Sequence, residues 1–274
     1  MKALVKKLIP YQIAVRFKEV KQSLESLFYI GNRYECPFCG NTFRKFLPGG
    51  ENLSFFKDRV IIGGGRRTNM LCPQCHSTDR DRLIYCYLTS NQLLSKQNYT
   101  LLHIAPEFPL KKYFKNFTNI AYYCGDKFES GYDGFYYDNE TMSLDLTYLS
   151  FSDSSFDIII CNHVLEHISD ESKALNEIYR VLKPDGWAIL QVPIASGLMQ
   201  TIEQPTDSSK KREIIYGQHD HVRLYGLDYS SRLKAHGFKV VEWNSEKQYN
   251  PMQIKRFALN SAEKVYIVSK ITPN

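Results

Sequence analysis

Two short strings carry the clearest chemistry, Cys36-Pro37-Phe38-Cys39-Gly40 and Cys72-Pro73-Gln74-Cys75-His76. A zinc ion held in a structural site takes four ligands in a tetrahedron, and a two-residue gap lets one tight turn aim two sulfurs at the same ion. Two knuckles of the same form, Cys36/Cys39 and Cys72/Cys75, therefore predict a structural zinc site. The competing reading is a pair of unrelated thiol turns or a redox couple. The second string also matches the c-type haem attachment pattern, which requires export, and nothing in the sequence points to export. Residues 40–71, between the knuckles, have room for a hairpin and a loop. The glycine-rich, basic run 61–69 is not followed by a helix pattern, and Cys72 closes it almost at once, so it reads as a loop of the zinc module and not as a phosphate cradle. Arg66 and Arg67 in that loop could meet an anionic partner. The other cysteines, Cys86, Cys124 and Cys161, stand in apolar surroundings and read as core residues.

A second group of chemically able side chains is His219, Asp220 and His221, close to Arg223 in the long polar segment 194–225. Imidazole and carboxylate groups in a segment that covers a cleft can orient an acceptor or take its proton. A salt-bridged loop is the alternative.

The elements that would position these groups follow from the hydrophobic pattern. Residues 11–29 carry Ile13, Val15, Phe17, Val20, Leu24, Leu27 and Phe28 at helical spacing with basic residues between, which suits a helix packed on the body or a helix lying on a membrane surface. Residues 80–94 read as a second helix leaving the zinc module. From about residue 99, short apolar strands alternate with helices. Strands are expected at 99–105, 119–124, 141–146, 155–164 and 187–194, with amphipathic helices at 107–117 and 171–182, the latter ended by Lys183–Gly186. A further helix, 228–238, is stopped by Gly237, and two closing strands follow. Alternating strands and helices with continuously apolar strands imply an α/β fold, a mostly parallel sheet with helices on both faces. The expected division is an N-terminal helical segment (1–34), a zinc-binding module (35–79) and an α/β domain (80–274) with a covering insertion at 194–225.

Composition sets looser bounds. A chain of 274 residues with 43% hydrophobic and 14% aromatic content suits folded domains. The formal charge of +6 permits nucleic acid or an anionic surface without requiring either. No apolar run reaches the ~18 residues of a membrane span. The apolar stretches near the start are broken by Lys6, Lys7, Pro10, Arg16 and Lys18, with no small-residue cleavage site after them. A cytoplasmic protein is expected, in which cysteines bind metal or lie inert instead of forming disulfides.

The run 155–193, Ser155-Phe-Asp-Ile-Ile-Ile-Cys-Asn-His-Val-Leu-Glu-His167 through Glu177-Ile-Tyr-Arg-Val-Leu-Lys-Pro-Asp-Gly186 to Val192-Pro193, closely resembles the middle of class I S-adenosylmethionine-dependent methyltransferases of the type 11 kind. The resemblance extends over about residues 97–270 and implies a Rossmann-like, mostly parallel seven-stranded sheet, methyl transfer and S-adenosylmethionine as cofactor. It places cofactor contacts residue by residue. Asp126 follows the second strand, where an acidic side chain meets ribose hydroxyls. Asp145 and Leu146 match the position beside the adenine. Asn162 and His163 end the fourth strand and would face the methionine part, with Glu166 and His167 just beyond.

The first turn, His103-Ile104-Ala105-Pro106-Glu107, departs from the pattern because it holds no glycine, and His103 stands where the family usually has an acid. A dinucleotide puts its pyrophosphate at such a turn. S-adenosylmethionine presents a sulfonium, an amino group and a carboxylate, so a small Ala105 and an anionic Glu107 suit it better than they suit NAD. The zinc knuckles followed by Ser77–Leu83 resemble a bacterial branch associated with surface-glycan synthesis, which implies a small-molecule or saccharide acceptor methylated at oxygen. Two other readings remain open. One is an rRNA or tRNA methyltransferase that touches RNA through a basic face built from Arg44, Lys45, Arg59, Arg66, Arg67, Arg80 and Arg82. The other is a non-catalytic, zinc-dependent interaction protein with a degenerate methyltransferase domain.

Overall fold

The computed structural model describes residues 11–94, 98–128 and 138–271. Residues 1–10 of the expected N-terminal segment lie outside that set. In chain order the elements are α1 (Tyr11–Ser26), β1 (Ile30–Glu35), β2 (Thr42–Phe43), β3 (Leu47–Gly49), α2 (Ser54–Asp58), β4 (Ile61–Ile62), β5 (Arg67–Leu71), α3 (Asp79–Ser90), β6 (Tyr99–Ile104), α4 (Phe108–Phe114), β7 (Ile120–Asp126), β8 (Thr141–Ser143), β9 (Phe156–Asn162), α5 (Glu171–Val181), β10 (Leu182–Gln191), β11 (Ile194–Ala195), α6 (Ser209–Tyr216), α7 (Tyr229–Ala235), β12 (Phe238–Asn244), α8 (Pro251–Arg256) and β13 (Lys264–Lys270).

Seven strands form one sheet in the order β12-β13-β10-β9-β6-β7-β8. The pairs β10/β9, β9/β6, β6/β7 and β7/β8 are parallel, and β13 runs antiparallel to both β10 and β12. The strand order reverses between β6 and β9. In an open α/β sheet the crevice outside the carboxyl ends of the strands at that point is where ligands bind.

Period-two alternation splits each strand between two cores. In β9, Ile158 and Ile160 join Leu83, Ile84 and Leu88 of α3 and Leu110 and Phe114 of α4 on one face. Ile159 and Cys161 join Leu175 and Ile178 of α5 and Tyr229 and Leu233 of α7 on the other. Helix α3 starts in a reciprocal cap, with the Thr78 hydroxyl accepting from the Asp81 N–H and the Asp81 carboxylate accepting from the Thr78 N–H. The stretch expected to end α5, Lys183–Gly186, already belongs to β10. Leu182 pairs with Phe156, and the register then jumps so that Trp187 pairs with Ile158. The extra residues bulge out of the ladder.

The N-terminal helix packs in an unusual sense. Gln22 and Ser26 are buried, with Gln22 Nε2 2.9 Å from His76 Nδ1 and the Ser26 hydroxyl donating to Gln74 Oε1 at 2.7 Å. Its apolar side, Ile13, Phe17, Val20 and Leu24, continued by Leu27 and Phe28, is exposed; Phe17 and Phe28 are 70% and 75% accessible. No helix among the described residues is long and apolar enough to cross a membrane.

Candidate functional site

The four knuckle cysteines converge. Cys36 Sγ lies 3.6 Å from Cys75 Sγ and Cys39 Sγ lies 3.7 Å from Cys72 Sγ, with all four sulfurs within 4.8 Å of one another. Zn–S bonds of about 2.3 Å in a tetrahedron separate the sulfurs by about 3.8 Å, so the donor set fits zinc in both chemistry and size. The two turns are built alike. Gly40 N–H donates to Cys36 O at 2.8 Å, and His76 N–H donates to Cys72 O at 3.0 Å. Both closing residues are left-handed, at φ +71° and +55°. Glycine takes that conformation freely; His76 does so at a cost and has Gln22 of α1 against its ring.

The insert between the knuckles reaches the α/β sheet. Ile61 and Ile62 of β4 pair antiparallel with Ala195 and Ile194 of β11, just after β10. The glycine loop that follows is pinned by two arginines through its carbonyls. Arg80 Nη2 donates to Gly63 O at 2.8 Å, and Arg67 Nη1 donates to Gly64 O and Gly65 O at 2.9 and 3.0 Å. Arg67 also pairs with Asp79 at 2.6 Å. Arg82 is fully buried, donates to carbonyls of Phe257, Met70, Ser77 and Ala258, and stacks 4.7 Å from the centre of the Phe46 ring. Arg67, Arg80 and Arg82 therefore point inward. Of the basic face expected for RNA, Arg44, Lys45, Arg59 and Arg66 remain exposed.

Between this loop and the sheet lies a cavity of about 250 Å³. Gly63–Gly65, Arg67 and Arg80 line one side, and His163, Glu166, His167 and His221 line another. His163 sits at φ +55° directly after β9, and its N–H donates to Gln191 O at 2.7 Å. Its Nδ1 lies 3.2 Å from Glu166 Oε1, while its Nε2 is buried without a partner. Burial and the Arg80 guanidinium push the His163 imidazole down to about 4, so it is neutral at pH 7 and donates from Nδ1. Burial alone would raise Glu166, but the His163 hydrogen bond and the neighbouring imidazoles pull it down to about 2. His167 Nδ1 lies 3.3 Å from Asp220 Oδ2, and the His167 and His221 rings meet edge to face with centres 4.7 Å apart. Burial lowers the His167 imidazole, but its Asp220 partner outweighs this and lifts it above the ordinary value.

Of the three covering residues singled out in the sequence, His221 is buried and lines the cavity, and Asp220 reaches it through His167. His219 is exposed and is not among the lining residues. The segment 194–225 is also more ordered than a polar connection, because it contains β11 and α6. Glu166 and His167 join the cavity wall without having been assigned a role from the sequence, and so do Arg80, expected on an RNA-facing surface, and Gly63, expected in a loop of the zinc module. The resemblance had drawn attention to Glu166 and His167 only by their place after β9.

The residues expected at the cofactor follow the carboxyl ends of the strands. Ala105 takes φ +47°, a left-handed conformation without glycine. His103 is fully buried; its Nδ1 lies 3.0 Å from the Tyr122 hydroxyl and its Nε2 lies 2.9 Å from Glu107 Oε2. Burial raises the Glu107 carboxyl, but contact with His103 holds it below the ordinary carboxylate value. Pro106 lies between Ala105 and Glu107 and is half-buried. Asp126 ends β7 and is half-buried. Asp145 is exposed and accepts from the Thr147 N–H and hydroxyl at 2.8 and 2.7 Å, while Leu146 is buried. Asn162 is 4% exposed, and neither its Oδ1 nor its Nδ2 has a hydrogen-bond partner.

Comparison with known proteins finds methyltransferases. The methyltransferase-domain family model matches residues 128–190. The chain is 32% identical over 94 residues to the arsenite methyltransferase of Aquipseudomonas alcaligenes, covering 34% of this chain and 25% of that one. It is 28% identical over 129 residues to the demethylmenaquinone methyltransferase of Lactobacillus johnsonii, covering 46% and 47%. The chain thus spans a quarter to a half of the length of these curated relatives. A SAM-dependent methyltransferase from Archaeoglobus fulgidus superposes with a TM-score of 0.43 at 14% identity, covering 71% of this chain and 95% of that one. The α/β part of this chain thus carries a methyltransferase-domain match at residues 128–190 within a seven-stranded, mostly parallel sheet.

Proposed function

We propose that the chain transfers a methyl group from S-adenosylmethionine to an oxygen of a small-molecule or saccharide acceptor held in the cavity between the glycine loop and the tail of β9. The observation that carries this reading is the cavity itself. It lies at the carboxyl ends of the sheet strands, beside the switch point, and is walled by groups able to handle a proton. The cofactor fits the turn in kind. Buried polar groups are nearly always hydrogen-bonded, so the unpartnered amide of Asn162 supports a polar ligand next to it. Glu107, held ionised against His103, supplies negative charge at the first turn, where the family usually has an acid one position from the strand end. Asp126 would take the ribose, and Leu146 would cover one side of the adenine.

When bound, the cofactor supplies an electrophilic methyl on a sulfonium. The chain's share is to align the acceptor oxygen behind that methyl, exclude water and receive a proton. With the acceptor so aligned, the O–C bond would form as the S–C bond breaks, the electron pair going to sulfur. The acceptor's proton has His163, His167 and His221 as receivers on the wall. Within the covering segment, this reading moves the catalytic role onto His221 with Asp220 behind His167, and away from His219. The four knuckle cysteines would hold a structural zinc that ties β1, β5 and α3 together. The exposed apolar stripe of α1 favours a peripheral contact with a membrane surface, for which vesicle co-sedimentation of the chain and of a Phe17→Ser variant is the check.

The test is calorimetric titration of the purified, zinc-loaded chain with S-adenosylmethionine and then S-adenosylhomocysteine, followed by label transfer to sugars and RNA side by side. Micromolar binding and transfer to a hydroxyl-bearing small molecule is the expected result. A cooperatively melting protein that binds neither nucleoside would sink the reading.

A further inference from the structure

The wall of the cavity holds a set of donors that neither the cofactor nor the zinc knuckles use. Glu166, His167 and His221 each offer one ligand atom, and these atoms lie within 4.8 Å of one another. From these positions we propose a second metal site, which takes one divalent first-row transition-metal ion on Glu166, His167 and His221 and leaves open coordination positions toward the cavity. Two imidazoles with one carboxylate suit manganese, iron, cobalt or zinc, whereas magnesium and calcium prefer all-oxygen sets.

Three features of the structure make this a prepared site and not a chance meeting of side chains. First, Glu166 Oε2 is buried with no hydrogen-bond partner, on a residue only 1% exposed, while its other oxygen faces His163. A buried carboxylate oxygen with no donor is costly unless a ligand takes it. Second, His167 Nδ1 lies 3.3 Å from Asp220 Oδ2, the carboxylate–histidine arrangement that fixes a ring and presents its other nitrogen to a metal. Third, the two segments that carry the ligands are locked together by their backbones. Val222 N–H donates to Glu166 O at 2.9 Å, and the Arg223 guanidinium donates to Leu165 O and, at 2.6 Å, to Ile168 O. His221 is thereby held beside Glu166, which is 55 positions earlier in the chain (221 − 166).

Such an ion also gives the acceptor a more definite chemistry. A metal-bound hydroxyl loses its proton near neutral pH far more readily than a free one. With His167 and His221 holding the ion in place of a proton, the acceptor would bind through that oxygen, its proton would leave to solvent water, and the oxygen would then attack the methyl carbon as the S–C bond breaks. Acceptors with two adjacent oxygens, such as a vicinal diol, would fill two open positions at once. This use of the ion rests on the methyl-transfer reading, but its presence does not.

The experiment uses the full chain carrying its knuckle zinc, stripped of any second metal and checked at one zinc per chain by elemental analysis. Manganese(II) is added, and free ion is followed by electron paramagnetic resonance. One Mn2+ should bind per chain. His221→Ala and Glu166→Gln should each remove binding, and Asp220→Asn, which alters only the orienting carboxylate, should weaken it ~10–100-fold. In all three the zinc ratio should stay at one. Asp220 is partly exposed, so Asp220→Asn is informative even if the buried Glu166→Gln variant fails to fold. No binding of Mn2+ or of added Zn2+ above the knuckle ion would overturn the proposal, as would binding of equal strength in the variants. Titration of the metal-stripped chain with S-adenosylmethionine separates the two ideas. Cofactor binding without Mn2+ binding leaves methyl transfer standing alone. Mn2+ binding without cofactor binding leaves the metal site and removes its proposed use.

Discussion

Arg223 fastens the covering segment to the tail of β9, and replacing it with leucine tests how that segment is held. The side chain is 1% exposed. Its guanidinium donates to the carbonyls of Leu165, Ile168 and Ser169, the last two at 2.6 and 3.2 Å, and to Glu203 Oε1 at 2.6 and 2.9 Å. The Glu203 side chain is 39% exposed, so its ion pair is screened and adds at most ~1 kcal/mol. The carbonyl end is different. Arg223→Leu takes a charged donor from three main-chain oxygens; Leu165 O keeps the Ile168 N–H at 3.2 Å, whereas Ile168 O and Ser169 O lose theirs, at ~1–3 kcal/mol each where water cannot replace the lost bond. Ser169 lies near the surface and would be rehydrated, so the cost rests on Ile168 O and on the weakened Leu165 O, about 2–4 kcal/mol together. At ~2–4 °C per kcal/mol for a chain near this size, the melting temperature should fall by roughly 10 °C. Glu203→Gln, which removes only the screened charge, should cost no more than ~3 °C. Scanning calorimetry on both variants measures this. If Arg223→Leu melted within ~2 °C of the parent, or if Glu203→Gln cost as much, the carbonyl clamp would not be what holds the segment.

Other expectations follow from the same geometry. Asn162→Ala should weaken S-adenosylmethionine binding by ~10-fold or more in calorimetry, while the melting temperature stays level, because its amide makes no bond within the described protein. Cys72→Ser should drop the zinc content below one ion per chain and lower the melting temperature, since metal-binding energy at such a site is folding energy; unchanged zinc would mean the knuckles do not share an ion. Acid should loosen the covering segment through Glu203. Burial raises this carboxyl, but Arg223 and Arg232 hold it below its ordinary 4.5. A group lowered on folding lends stability above the unfolded value and loses it as the pH falls below it. The melting-temperature gap between the parent and Glu203→Gln should therefore be open at pH 6 and narrow below pH 4.5; a gap that widened in acid would contradict the assignment.

Much of this protein is written in short stretches of its sequence. Cys36/Cys39 and Cys72/Cys75 can be read because each pair needs only one tight turn, and the turns do form with matching hydrogen bonds. The apolar run Ile158–Cys161 announces a strand buried on both faces, and the two cores on either side of β9 bear this out. The run from Ser155 to Pro193 marks a methyltransferase fold, because strand, helix and strand follow in one continuous order. Local pattern did not say which way α1 faces. Its apolar stripe is visible in the sequence, but the choice to dock through Gln22 and Ser26 depends on His76 and Gln74, some fifty positions away. Nor did it show that the Gly63–Gly65 loop closes the cavity, because that follows from Ile61 and Ile62 pairing with β11, more than a hundred residues later. The meeting of Glu166 and His167 with His221 is of the same kind. Turn and strand preferences act over a few residues and can be read from them, whereas the assembly of a site from distant segments is set by packing and by buried carbonyls seeking donors such as Arg80 and Arg223, and that is decided only when the whole chain has folded.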